Sequence, residues 1–452
     1  MSKKPCDLTI KQAVSAITAG KLTVLRLVES CLERIGDLEE NIQAWALTDR
    51  EGALKEAQLL DQELELGKRR GPLHGIPFGI KDIFYTAGLR TEAGFSAWSG
   101  FVPSYDATSV ARLKEAGAII LGKTHTTQFA YMDPAPTRNP WNTDHTPGGS
   151  SSGSGASVAI GMCLAALGSQ TLGSVLRPAA FNGVVGFKPH YGRISTYGVV
   201  PLAWTLDHVG ILARTVEDVA LIFQTLAGYD PMDCHSLDEA VPDYLNNLEN
   251  QRAPRLGLVR QYFYDNADEE MRTHIDDIVE RLRKSGAEVQ GIEFPCDFSD
   301  ILDNGRTIMA VEAATYHRAM FIKHKDQYRT EVSKLIEKGL SISAIEYARA
   351  LETRLQQYAN VNPLLHQVDA LLIPGAVGAA PHGLASTGNP VMQGPWTIMG
   401  VPTISLPTGL NMDGLPLAVQ LVGHPKTEDR LLTTARWCER VLNVQLQPPL
   451  DY

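Results

Sequence analysis

The chain has 452 residues, 44% of them hydrophobic and 20% charged, the balance of a globular protein long enough to bury a core without disulfides or metals. Its 51 acidic and 41 basic residues leave a net charge of −10 with no cluster of Lys or Arg, which argues against a nucleic-acid footprint. The six cysteines lie far apart, with no C-x-x-C and no zinc-ligand spacing, so reduced thiols and neither metal nor cofactor are expected.

In chain order, "MSKKPCDLTIKQAV" lacks an apolar stretch behind its lysines, which predicts no signal peptide. The most apolar segment, 156–168, is too short and glycine-punctuated to span a bilayer, so a cytoplasmic protein is expected. Residues 8–66 are helical in pattern, with Val24, Leu27, Val28, Cys31, Leu32 and Ile35 recurring at spacings of three and four. From Gly71 the texture changes. "GPLHGIPFGIKDIF" reads as a buried strand, and "DATSVARLKEAGAIILGKTH" as a capped helix, a glycine stop and a strand at 118–121. "PGGSSSGSGAS", residues 147–157, has the composition of a flexible linker. Its position between buried-looking segments reads instead as a loop entering an apolar helix over 158–167. Residues 215–228 form another helix, and 265–360 are rich in helix formers and charge. After "VDALLIPGAV" strands return, ending in a hairpin about Asp413 and Gly414. Helix and strand alternate as in an α/β fold.

Three places are hard to explain by packing alone. Lys81 follows a buried strand, where a lysine is rare unless paired or working; the plainer reading lets it reach solvent beside Asp82. The Gly/Ser run could cradle a phosphate at a helix start, but neither G-x-x-x-x-G-K-[ST] nor G-x-G-x-x-G occurs there. In "GSQTLGSVLRPAAFNG", Ser174 follows a glycine in a tight turn before a helix, the layout of a nucleophile with an oxyanion hole or of an ordinary turn.

Together, "GIPFGIKD", "TPGGSSSGSGASVA", "GSQTLGSVLRPAAFNGVVGFKP", "LDHVGILARTVEDVALI" and "GVPTISLP…GLPLAVQLVG" resemble the amidase signature family of serine hydrolases, from about residue 8 to 440. The resemblance implies one α/β domain over 1–452, a central mixed β-sheet covered by helices on both faces, with a helical insertion. Its parts would be N-terminal helices (1–70), a catalytic core (71–225), the insertion (226–360) and a return to the sheet (361–452). It implies a catalytic triad of Lys81, Ser150 and Ser174, with a cis peptide between Gly149 and Ser150. Ser174 would attack the amide carbonyl while Ser150 relays its proton to Lys81. The N–H groups of Thr171, Leu172, Gly173 and Ser174 match the family's oxyanion hole. Ala130, Tyr131, Met132 and Gly149 are expected to bind substrate. A lysine acts as a base only when neutral, so burial must depress its pKa. The histidines, His74 and His208 among them, are expected to be structural.

The chain departs from the family's T-D-T-G-G-S-I-R at the nucleophile. Gln170 and Leu176 replace Asp and Arg, and Arg177 comes one place later. Leu172 replaces a Gly and would be strained by about 1–2 kcal/mol if φ were positive there. Asn182 stands for a usual Cys, and Gln128 for a common Glu. With both charges gone from the loop, the acyl side is expected to be apolar. That favours a stand-alone hydrolase, monomeric or homodimeric, of small aryl amides and carbamates, with charged acyl groups disfavoured and no nucleic-acid or membrane partner. The alternatives are the A subunit of a tRNA-dependent amidotransferase and a binding protein that kept the fold.

Overall fold

The computed structural model describes residues 4–246, 248–249 and 252–449; the first three residues of the N-terminal segment read above lie outside them. Among the described residues eleven strands form one mixed sheet. They are β1 (Trp45–Thr48), β2 (Pro77–Lys81), β3 (Ile119–Thr124), β4 (Ala165–Gln170), β5 (Val185–Lys188), β6 (His208–Ala213), β7 (Arg255–Leu258), β8 (Glu288–Gly291), β9 (Ala370–Pro374), β10 (Thr403–Leu410) and β11 (Pro416–Val422). Their order across the sheet is β1-β3-β2-β4-β6-β5-β10-β11-β9-β7-β8, flanked by helices as the α/β reading requires.

One side of the sheet is parallel around β2, which pairs with β3 and β4 in parallel, and β4 then pairs with β6 antiparallel. Strands β2, β3 and β4 are buried along their whole length, which explains their unbroken apolar and small-residue texture. β10 and β11 make the expected hairpin, closed around Gly414 at φ +78°. The segment read as mainly helical also supplies β7 and β8, which carry the sheet to its far edge. β8 is mostly exposed, with Glu288 and Gln290 along it, as a protected edge should be.

The largest local difference is at the Gly/Ser run. The helix is Ser152–Ala159, earlier than the expected 158–167, and 165–170 is strand β4. Small residues are demanded here by close approach. A Cβ on Gly153 would fall 2.1 Å from the Ala44 carbonyl oxygen, and one on Gly155 would fall 3.1 Å from the Pro178 ring. The serines serve a buried polar layer: Ser154 Oγ donates to the Leu167 carbonyl at 2.9 Å, and Ser152 Oγ to that of Gly148 at 2.7 Å. Hydrophobic periodicity misses such a helix because its packing faces are backbone and hydroxyl.

Candidate active site

Lys81 ends β2, the third strand from one edge of the sheet, and its side chain is 0% exposed. Nζ hydrogen-bonds Ser150 Oγ at 2.7 Å and donates to Ser169 Oγ, on adjacent β4, at 2.8 Å. It does not reach solvent beside Asp82, whose carboxylate instead accepts the Glu92 and Ala93 N–H groups and faces Lys123 at 3.6 Å. Among the described residues no carboxylate lies within ion-pair distance of Lys81. Burial therefore drives its pKa well below that of a free lysine, and the more distant Asp207 charge only partly opposes this. A neutral amine in hydrogen-bond contact with a serine can take up a proton.

The Gly149–Ser150 peptide is cis. The Ser151 N–H donates to the Ser174 carbonyl at 3.2 Å, so the Gly/Ser segment and the turn after β4 are joined at the two serines. Ser174 is 8% exposed and lies on the wall of a pocket of about 350 Å³. Thr171, Leu172 and Gly173 share that wall, and among the described residues no acceptor is bonded to the N–H groups of these three or of Ser174. Four unengaged N–H groups around one hydroxyl can receive a carbonyl oxygen that becomes negative.

The departures at this turn are bonded into it. Gln170 Oε1 accepts the Val175 and Leu176 N–H groups at 2.8 and 3.0 Å, while its Nε2 donates to Thr397 Oγ1 at 2.9 Å. Thr397 Oγ1 in turn donates to the Leu172 carbonyl at 2.6 Å. A neutral amide thus caps the helix Leu176–Asn182 and pins the turn. Leu172 is not among the residues with positive φ, so the expected strain is absent. Gln128, where relatives carry Glu, donates to the Gly94 and Gln327 carbonyls and accepts the Arg329 N–H, a mixed pattern that a carboxylate could not match.

Of the expected substrate-binding residues, Ala130, Tyr131 and Met132 line the pocket; Gly149 does not, and its carbonyl accepts from Arg177 at 2.7 Å. Met309, from the helix Phe298–His324, and Leu202, Thr387 and Gly388 complete much of the lining. Sequence reasoning misses the last three because they sit on loops without periodicity. It also assigns no role to Asp207, in the quoted "LDHVG". That carboxylate is half-buried, accepts Thr171 Oγ1 at 2.5 Å and the Leu202 and Ala203 N–H groups, and desolvation raises its pKa to about 6. His74 is bonded at both ring nitrogens; His208 holds the Leu206 carbonyl through Nδ1 and leaves Nε2 without a partner.

The Amidase family model matches residues 26–432. The A subunit of glutamyl-tRNA(Gln) amidotransferase from Carboxydothermus hydrogenoformans is 35% identical over 96% of this chain and 97% of its own length. Proteins of the same name from other bacteria are 34–35% identical. The putative amidase AmiD of Mycobacterium bovis is also 35% identical, over 98% of this chain and 96% of its own. Among solved structures, native peptide amidase from Stenotrophomonas maltophilia is similar with a TM-score of 0.88 and 30% identity, covering 99% of both chains. These likenesses correct two expectations, the stand-alone hydrolase of small apolar amides and the exclusion of nucleic acid. The first leaned on Gln170, Leu172 and Leu176, three positions that the near full-length likeness to the amidotransferase proteins outweighs. The second leaned on net charge, which describes an isolated chain and not a complex.

Proposed function

We propose that this chain, which belongs to the amidase family, is the amide-cleaving A subunit of a tRNA-dependent amidotransferase. It is an amidase-family hydrolase acting on C–N bonds. The observation that carries the narrower reading is its likeness to proteins named as that subunit, over almost the full length of both. The site supports it with the parts such a step needs. Ser174 Oγ attacks the donor amide carbonyl, and its proton passes to Ser150 as the Ser150 proton moves to neutral Lys81. The carbonyl oxygen, now negative, is met by the N–H groups of the 171–174 turn, each worth about 3–4 kcal/mol at the transition state. The intermediate collapses, the C–N bond breaks, and the proton returns through Ser150 to the leaving nitrogen. Water then hydrolyses the acyl-enzyme by the same relay, and the released nitrogen is the one passed on to glutamyl-tRNA(Gln).

The test is co-expression with candidate partner subunits, followed by an assay for glutamine-dependent amidation of glutamyl-tRNA(Gln). We expect a stable complex, glutamine-dependent product, and loss of product with Ser174→Ala while the complex still forms. A chain that stays alone, leaves glutamine intact and cleaves small neutral amides would overturn the reading.

A further inference from the structure

We propose that Gln128 is a positioning residue that sets one substrate-facing wall of the pocket: its amide fastens the loop 129–132 to the segment between the helices Phe298–His324 and Thr330–Ser341. The inference goes beyond the amide-donor reading above and rests on it only for Ser174 as the nucleophile.

Ala130, Tyr131 and Met132 form that wall. The turn that presents them is one that side chains rarely adopt: Phe129 and Ala130 stand at φ +50° and +60°, two adjacent left-handed residues, neither a glycine. Such a shape persists only when contacts from outside the turn hold it. Gln128, 3% exposed, supplies polar ones. Its Nε2 donates to the Gly94 carbonyl at 3.2 Å and the Gln327 carbonyl at 3.1 Å, and its Oε1 accepts the Arg329 N–H at 2.7 Å. The Phe129 ring supplies apolar ones, its centroid 4.3 Å from that of His317 and 5.3 Å from that of Tyr328. Asp133 closes the far end of the loop by accepting the Glu331 and Val332 N–H groups at 3.1 and 2.9 Å, at the start of the helix Thr330–Ser341.

The loop meets the triad at the Thr127 N–H, which donates to the Ser150 carbonyl at 3.3 Å, a main-chain bond that a change of the Gln128 side chain leaves in place. Loss of the amide therefore disturbs whatever part of a substrate lies on Tyr131 and Met132, and leaves attack by Ser174 as it was. Two carbonyls and one N–H call for two donors and one acceptor on a single planar end, which an amide has. A carboxyl matches at most two of the three, and only while it holds a proton. The titratable groups nearest this amide along the elements it joins are Glu92, Asp133, Lys325, Asp326 and Arg329, with His317 and Tyr328 around the Phe129 ring. Burial holds His317 neutral by lowering its pKa to about 3. The wild-type protein and its variants share all of these, so their titration drops out of a comparison.

The full chain is treated with methanesulfonyl fluoride, which needs only the Ser174 hydroxyl, and with phenylmethanesulfonyl fluoride, whose ring must enter the pocket; intact mass follows both. In Gln128→Leu the benzyl reagent should react about 10-fold more slowly and the methyl reagent within about 2-fold of wild type, which also reports a folded site. In Gln128→Glu the benzyl-to-methyl ratio should match wild type at about pH 5.5 and fall about 10-fold by about pH 8.5, as the introduced acid ionises. The wild-type ratio should stay flat, because the Lys81 titration affects both reagents alike. Hydrogen exchange gives a second reading: the amides of 129–133 should exchange about 10-fold faster in Gln128→Leu, with those of β2 unchanged. Should Gln128→Leu not fold, Gln128→Glu carries both readings. Equal slowing with both reagents, a ratio unmoved in both variants, or unchanged exchange in the loop overturns the positioning role. Wild-type protein that neither reagent modifies removes Ser174 as the nucleophile instead, and loop exchange then decides the role of Gln128 by itself.

Discussion

At the scale of single residues, the site depends on a lysine kept neutral by its surroundings. Lys81 has lost its solvent and among the described residues has no ion-pair partner, so its folded pKa falls well below the free value, with Asp207 pulling the other way. In the relay proposed above the neutral form is the working one, so activity should rise with pH through the depressed pKa and be lost as pH falls below it. Asp207→Asn removes the charge that holds that pKa up, so the rising limb should move to lower pH. The bond from Thr171 would also become neutral and weaken by about 1 kcal/mol. Rate profiles of the two proteins across pH decide the matter, and superimposable limbs would mean Asp207 only shapes the turn. Lys81 and the two serines are legible as a motif. Asp207 is not, because nothing local in "LDHVG" tells that its carboxylate reaches Thr171 across 36 positions.

At the scale of elements, the turn between β4 and the helix Leu176–Asn182 is held by one side chain. Gln170 satisfies two N–H groups at the helix start and, through Thr397, the Leu172 carbonyl. Gln170→Ala would leave those two N–H groups buried and unpaired, at a cost of about 1–3 kcal/mol each. Urea unfolding should show a loss of about 2–6 kcal/mol, with kcat falling more than KM rises if the turn aims the Ser174 hydroxyl as proposed. A change below about 1 kcal/mol with normal kcat would show that the turn keeps its own shape. The Gly/Ser helix teaches a related lesson. Its glycines are legible as functional rather than linking, yet its span is not, because contacts with Ala44, His125 and Pro178 fix where it packs.

At the scale of the whole molecule, buried cations make stability depend on pH. Lys188 ends β5 and donates to the Val401 carbonyl at 2.6 Å, joining that strand to the loop before β10. Burial lowers its pKa to about 7 against the ordinary 10.5, and Glu428 opposes this only in part. Between those values the unfolded chain carries a proton that the folded one lacks, so stability rises with pH by up to about 1.4 kcal/mol per unit. The lowered histidines act below about 6.5 and the raised thiols above about 8.5; between pH 7 and 8.5 the depressed Lys81 and Lys123 add slope of the same sign, so Lys188 is read from the difference between the two proteins. Urea midpoints should rise there for the wild-type protein and stay flatter in Lys188→Met; parallel curves would show that Lys188 is charged in the folded state. The sequence by itself determined the α/β class, the family likeness, the order of the motifs and the positions of Lys81, Ser150 and Ser174. Those depend on local pattern and spacing. The tertiary structure alone decided that β7 and β8 extend the sheet, that Gln170 bonds both the helix start and Thr397, and that among the described residues no carboxylate pairs with Arg177 at the pocket. Each of these is a matter of which distant groups share one buried volume, and burial sets both the cost of a charge and the partners left to it.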